Sequence, residues 1–442
     1  MKCTAKWSYH PYVPYDVYQK AAAPHIVLLE PGCDSVTLEW VAESENCRVY
    51  VAPEGLKEYE VHDVTGNRLT VAGLKANFGY KVTVEDEKGR KSFERLFKTG
   101  EYPGTVVNYL HPRDRVYEFS GRHTCSPSIV RLPSGRLLVS MDIFDGNAPQ
   151  NLTLVYYSDD EGATWHYLTD IFPCFWGTLF MHKNELYLLG ISTEYGDVLI
   201  GKGDEAGHFG TPTVLLRGAA DPKEPGPHRA PVVVHEEAGR LWTAIEYGSW
   251  TKGRFAMGVF SADANGDLLD VDNWNFTGFL PYDKSWPGAY PIAGAIEGCV
   301  VTFPDGSLKD VLRVGLDTGL WLGLDKNDPD AMPVFEKFVE LPFGHTKFEI
   351  RRHSSGKYIA VGNRLPLRTV LSVYVSDDME HWEILGDVEN KAEYPVDEVG
   401  FQYPAFIMEG DTLLIAVRSA FNGAENFHDS NFINFYRYEL RL

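Results

Sequence analysis

Ser158-Asp159-Asp160-Glu161-Gly162-Ala163-Thr164-Trp165, directly after the apolar run Leu152-Thr153-Leu154-Val155-Tyr156-Tyr157, decides how this chain is read. A strand is expected to end at Tyr157. The Asp160 carboxylate then accepts backbone N–H bonds across a tight turn, while Gly162 takes the positive-φ position that a Cβ would forbid. Thr164 and Trp165 open the next strand, and the indole is large enough to wedge between this hairpin and a neighbouring sheet. A shorter version, Ser376-Asp377-Asp378-Met379-Glu380-His381-Trp382, follows the alternating run Leu371-Ser372-Val373-Tyr374-Val375; it keeps the Asp and the Trp without the Gly and the Thr.

Outward from this motif, the roughly 340 residues after the linker Glu101-Tyr102-Pro103-Gly104 repeat one unit, an apolar strand, a turn and a second apolar strand. The cleanest copy is Ser128 to Ser140, turning at Pro133-Ser134-Gly135. Five more run from Thr178 to Gly190, Ala230 to Ile245, Glu297 to Val314, Lys347 to Val361 and Tyr403 to Val417. A period of about 55 residues with four strands per unit is that of a propeller blade, which must stack on its neighbours to bury both faces. Arg115-Val116-Tyr117-Glu118-Phe119 reads as a lone strand that joins the last unit beside Phe432 to Tyr438 and closes the ring.

The Ser-x-Asp-x-Gly-x-Thr-Trp pattern resembles the Asp box, or BNR repeat, of the sialidase-like β-propellers, in which the box lies on the face away from the active site. The resemblance implies an all-β chain with a six-bladed propeller over residues 105–442. Ahead of it, residues 24–100 show short strands such as Ser35-Val36-Thr37-Leu38-Glu39-Trp40, whose alternation puts Val36, Leu38 and Trp40 on one face. With Leu74-Lys75-Ala76, Tyr80 and the closing Lys98-Thr99-Gly100, this stretch resembles a fibronectin type III β-sandwich. Residues 1–23, rich in Tyr and Pro, read as an arm packed on a domain surface.

Composition narrows the functional classes. A formal net charge of −21 opposes non-specific binding to nucleic acid or to an anionic membrane surface. No run approaches the roughly 18 apolar residues of a membrane helix, and Met1-Lys2-Cys3-Thr4-Ala5-Lys6-Trp7 lacks an apolar core before a cleavage site. The six cysteines have no CxxC or metal-ligand spacing, which suits reduced thiols, so a cytoplasmic location is expected, or a secreted one if a leader has been trimmed. The Asp-rich loops at Asp263 to Asp267 and Asp325 to Asp330 lack the spacing of an EF-hand and read as turns. No metal or cofactor is expected. Aromatics at 13% suit a sheet core and also sugar stacking.

In a propeller, residues just before the first strand and just after the second strand of every unit meet at one rim. Before the first strands lie Arg122-His123, Phe175-Trp176, His228-Arg229, Tyr290, His345 with Lys347 and Glu349, and Gln402-Tyr403. After the second lie Asp142, Asp145, Thr193-Glu194, Glu246-Tyr247, Asp317, Asn363-Arg364, and Arg418 with Asn422, Glu425, His428 and Asp429. Guanidinium forks suit carboxylates, so Arg122, Arg229, Arg364 and Arg418 together point to an acidic sugar such as a sialate or a uronate. Asp142, Asp145, Glu246 and Glu349 suit paired acid and base work; His123, His228 and His428 suit acid, base or ligand roles. Trp176, Glu349, Gln402 and Tyr403 complete the expected binding set. Sialidases carry an Arg-Ile-Pro motif ahead of the first blade, and the matching segment here is Cys125-Ser126-Pro127; their Tyr/Glu nucleophile pair is not marked by any motif in this sequence. Three functions follow. The first is a glycoside hydrolase acting on an acidic glycan. The second is a propeller-fold polysaccharide lyase, using Tyr247 or Tyr403 with His228. The third is a glycan-binding protein without turnover. The expected partner in each is an oligosaccharide or polysaccharide, and the oligomeric state is left open.

Overall fold

The structure, a computed structural model, describes residues 13–14, 23–218, 224–250, 252, 255–290, 294–364 and 368–442. Its strands pair antiparallel throughout the ring. The one helical element among the described residues is a 3-10 turn at Val271–Asn273.

Among the described residues of the ring, six sheets follow one another in sequence. The first contains His123–Arg131, Leu137–Phe144, Thr153–Ser158 and His166–Phe172, and the second Phe175–His182, Glu185–Ile191, Val198–Gly203 and Thr213–Leu216. The third divides its first strand into Gly226–His228 and His235–Glu237, followed by Arg240–Gly248, Ala256–Asp263 and Trp274–Phe276. The fourth holds Ile296–Thr302, Leu308–Arg313, Thr318–Leu324 and Val334–Glu340; the fifth Glu349–Arg352, Tyr358–Asn363, Val370–Ser376 and Glu383–Asn390. The sixth combines Gly400–Glu409, Thr412–Ala420 and Phe432–Glu439 with Thr105–Tyr109. The first strand of the first sheet packs against the first strands of both the second and the sixth, which closes the ring.

The closing strand is Thr105–Tyr109, paired with Phe432 to Phe435, and not Arg115 to Phe119. The latter is a succession of turns in which the Ser120 and Gly121 amides both donate to the Tyr117 carbonyl. The physical reason is burial on both faces: Val107 packs with the first sheet and Tyr109 with the sandwich side, whereas Arg115, Glu118 and Phe119 are exposed.

The Asp160 turn forms from its own residues. The carboxylate accepts from the Thr164 amide at 2.8 Å and its hydroxyl at 2.6 Å, and the Gly162 amide donates to Ser158 Oγ at 2.9 Å. Gly162 has φ of 85°, and a Cβ there would stand 2.2 Å from the Phe435 ring of the sixth sheet. Trp165, fully buried, meets the same ring at 5.5 Å between centroids. The turn thereby joins the first sheet to the sixth across the closure. In the Asp378 turn, His381 Nδ1 takes the place of the threonine hydroxyl at 2.7 Å.

Ahead of the ring, His25–Pro31, Ser35–Val41 and Arg68–Ala72 form a three-stranded sheet that shares a core with the four-stranded sheet of Asn46–Pro53, Glu60–Thr65, Gly79–Asp86 and Arg95–Lys98. Trp40 lies at its centre, and the Tyr80 hydroxyl accepts from the Lys75 amide at 2.8 Å. Val27 and Leu28 face the ring and pack with Tyr156 and Trp165, and buried Arg95 pairs with Asp114. Val13–Pro14 pairs with Ile171 and Phe172 at the edge of the first sheet; the rest of residues 1–22 lies outside the described residues.

Candidate active site

The first strands of four sheets share an irregularity that aims side chains into one cavity. The register slips between Cys125 and Ser128, Phe175 and Thr178, Ile296 and Cys299, and Gln402 and Ala405. Inside each slip one residue takes a positive φ: Ser126 at 21°, Trp176 at 49°, Glu297 at 58° and Tyr403 at 54°. A bulge with a left-handed residue re-aims its side chain off the strand's alternation. The residue that follows is Pro or Gly each time, Pro127, Gly177, Gly298 or Pro404. All four re-aimed residues line a cavity of about 1430 Å³.

Behind the lining, buried polar groups hold these bulges in place. The Glu246 carboxylate accepts from the Gly298 amide at 3.0 Å and meets His228 Nδ1 at 3.2 Å. Asp142, buried beside the Trp176 and Gly177 amides, accepts from the Thr153 hydroxyl at 2.6 Å, and burial pushes its carboxyl up to about 8. Arg229 donates to the Leu189 carbonyl at 2.5 Å and the Trp176 carbonyl at 3.4 Å. The Lys347 ammonium, fully buried, bonds the Pro404 carbonyl next to Tyr403.

One half of the cavity is a chain of charged groups. The Tyr403 hydroxyl donates to Glu297 Oε1 at 2.8 Å, and Arg313 Nε donates to Oε2 at 2.5 Å. Burial alone would raise the Glu297 carboxyl, but Arg313 outweighs it and holds the group below the usual carboxylate range. Burial, with Glu297 alongside, pushes the Tyr403 phenol above its ordinary value. Arg418 lies over the Tyr403 ring at 5.2 Å and over Phe144 at 5.3 Å, donating to Cys125 Sγ at 3.2 Å and to the His428 carbonyl. Arg368, half-buried over Phe427, has its guanidinium lowered to about 10 by burial. Neither Arg368 nor Arg418 meets a carboxylate among the described residues. In a chain of net charge −21, two such cations on one cavity leave room for an anion. The other half is aromatic: His228 packs against Trp176 at 4.5 Å and Trp250 at 5.7 Å, beside Tyr195 and Glu194.

Of the residues placed at the rim from the sequence, Trp176, Thr193, Glu194, His228, Tyr403, Arg418 and His428 line the cavity. Asp142, Glu246, Arg229 and Gln402 are buried outside its lining, Gln402 accepting from Arg368. Arg122 pairs with Asp145 at 3.0 Å, His123 with Glu425 at 3.4 Å and Arg364 with Asp387 at 2.5 Å. Tyr247 packs on Phe279, and Glu349 pairs with Arg351 at 2.7 Å on a separate 300 Å³ cavity along the first strands. The four-arginine cluster read from the rim thus reduces to Arg418, joined by Arg313 and Arg368.

Glu297, Arg313 and Arg368 escaped the rim reading, and two of them left a signal. Aligning the repeats on the Pro or Gly after the bulge selects Glu297 where the rim reading took Tyr290. Arg313 ends the second strand of its sheet, four residues before the expected Asp317. Arg368 has no such mark, because it sits in a turn between strands.

No family model and no curated protein matches the chain. Solved structures do. An α-L-arabinanase from Penicillium chrysogenum, solved with arabinobiose, is 14% identical with a TM-score of 0.51, over 76% of this chain and 98% of its own. The leech intramolecular trans-sialidase is 11% identical with a TM-score of 0.51, over 97% of this chain and 93% of its own. A protein of unknown function from Dyadobacter fermentans is 11% identical with a TM-score of 0.54, over 75% of this chain and 98% of its own. At these identities the likeness is one of fold, an all-β propeller.

Proposed function

We propose that this protein is a carbohydrate-active enzyme, a glycoside hydrolase that releases an acidic sugar with Tyr403 as nucleophile and Glu297 as its base. The observation that carries the reading is the chain from the Tyr403 hydroxyl through buried Glu297 to Arg313, in a cavity where Arg368 and Arg418 have no carboxylate partner among the described residues. A carboxylate nucleophile would meet the sugar's own carboxylate as a like charge; a neutral phenol does not. Sialidases use a Tyr nucleophile for the same type of substrate. Because Glu297 is ionised and the phenol is held protonated, the proton passes to Glu297 as the new C–O bond forms and removes the developing phenolate charge.

Arg418 reinforces the reading. Its guanidinium rests against Cys125, the position at which the sialidase likeness calls for an arginine, so the sixth sheet supplies the cation that the first sheet lacks. The fold shared with an arabinanase and a trans-sialidase supports carbohydrate chemistry without choosing the sugar. Asp142 and Glu246 then act as positioning residues that hold the bulges of Trp176 and Glu297, rather than as acid and base.

A lyase reading has one observation in its favour: Tyr403 and His228 face the same cavity, with arginines able to neutralise a uronate. The test is turnover of sialylated, glucuronate-capped and neutral oligosaccharides by the parent and by Tyr403→Phe. Hydrolysis of an acidic member, abolished by Tyr403→Phe, is expected. Preference for neutral sugars refutes the reading; an ultraviolet-absorbing unsaturated product replaces it with the lyase, and binding without product replaces it with a glycan-binding role.

A further inference from the structure

We propose that Glu194 is the proton donor to the departing oxygen and, after the first bond breaks, the base that activates water; this rests on the hydrolase reading above. Among the described residues two carboxyls line the cavity, Glu194 and Glu297. Glu297 is committed to Tyr403 and Arg313. Glu194 follows the second strand of the second sheet, is half-buried, and meets no Lys or Arg among the described residues. Gln150 Nε2 donates to Glu194 Oε2 at 2.7 Å. Gln150 is itself buried and held at a positive φ of 52°, so this contact is built into the wall.

Among the described residues the Tyr195 hydroxyl and His228 also act on Glu194, and His228 lies within electrostatic reach of both Glu194 and Glu297. Both carboxyls and this imidazole line one cavity. Their environments push them apart: burial raises Glu194, with His228, Gln150 and Tyr195 opposing, whereas Arg313 holds Glu297 low. Two carboxyls separated in this way divide into acid and base.

The step balances as follows. Tyr403 Oη bonds to the anomeric carbon while the bond from that carbon to the glycosidic oxygen breaks. The phenolic proton goes to Glu297, and the Glu194 proton goes to the leaving oxygen. In the second half the Glu194 carboxylate takes a proton from water, whose oxygen bonds to the anomeric carbon. The bond to Tyr403 breaks, and Glu297 returns its proton to the phenolate. One water is consumed and both carboxyls regain their starting states.

The test compares parent and Glu194→Gln on sialosides and glucuronides carrying either 4-nitrophenol or an alkyl alcohol as leaving group. An acid matters only for the poor leaving group. The variant should lose about 100-fold or more in kcat/KM on the alkyl glycoside, less than about ten-fold on the 4-nitrophenyl one, and the fall in kcat/KM at high pH. Gln150→Ala, which removes a bond favouring the charged form, should move that fall to higher pH with Glu194 intact. Equal losses on both leaving groups, or unchanged pH profiles in both variants, overturn the assignment and leave the hydrolase reading standing. A parent that cleaves neither class of glycoside overturns the hydrolase reading and this assignment together.

Discussion

Replacing Trp165 by alanine tests how the ring closes. The side chain is fully buried between the Asp160 turn and Phe435 of the sixth sheet, in a core that also holds Val27 and Leu28 of the sandwich. A tryptophan buries roughly 150–250 Å², worth about 4–6 kcal/mol at about 25 cal/mol per Å². Its Nε1–H is buried with no hydrogen-bond acceptor, and removing that donor returns roughly 1–3 kcal/mol. The net cost is about 3 kcal/mol, at the lower end of large aromatic truncations. Trp165→Phe keeps most of the ring and also removes the unpaired donor, so its cost should stay near 1 kcal/mol or below. Urea denaturation of the three proteins, followed by near-ultraviolet circular dichroism, gives both differences; substrate affinity of the folded fraction should not change. An alanine variant within about 0.5 kcal/mol of the parent, or a phenylalanine variant as damaged as the alanine one, would refute the wedge.

Arg368→Lys keeps the charge and loses the fork, and should weaken binding of an acidic sugar by about 1.5–3 kcal/mol while leaving neutral sugars unaffected, as read by calorimetric titration. Asp142 binds its proton more tightly in the folded chain, its carboxyl being raised to about 8. Its contribution to stability is therefore full below about pH 4 and declines as pH rises toward about 8. Asp142→Asn should flatten the fall of the urea midpoint across that window, the remaining slope belonging to other carboxyls that burial raises in the same direction, Asp310 and Glu194 among them. A slope identical to the parent's would contradict the buried, protonated Asp142.

The ring was legible because its signals are local and repeated. Trp165, Gly162 and Asp160 act within one hairpin, and each strand–turn–strand unit carries its own apolar runs. Thr105–Tyr109 was not legible as the closing strand, because Val-Val-Asn-Tyr gains its meaning only from a partner more than 300 residues away. The site was half legible. Tyr403, Trp176 and His228 stand where a rim reading looks, but the side chain that enters the cavity is chosen by a bulge, which shifts the inward residue off the alternation. That shift hid Glu297 and favoured Asp142 and Glu246, whose carboxylates look catalytic in sequence and face backbone amides in the fold. Arg122 and Arg364 likewise read as free cations, since their partners Asp145 and Asp387 lie on other strands or loops.

Covalent trapping of the nucleophile tests the central claim most directly. A fluorinated sialosyl or glucuronosyl fluoride slows the second half of the reaction and leaves the sugar attached to the attacking residue. Intact mass followed by peptide mapping should show one sugar on the peptide containing Tyr403, and none on Tyr403→Phe. A sugar attached to a carboxylate, or continued hydrolysis by Tyr403→Phe at the parent's rate, would contradict the account.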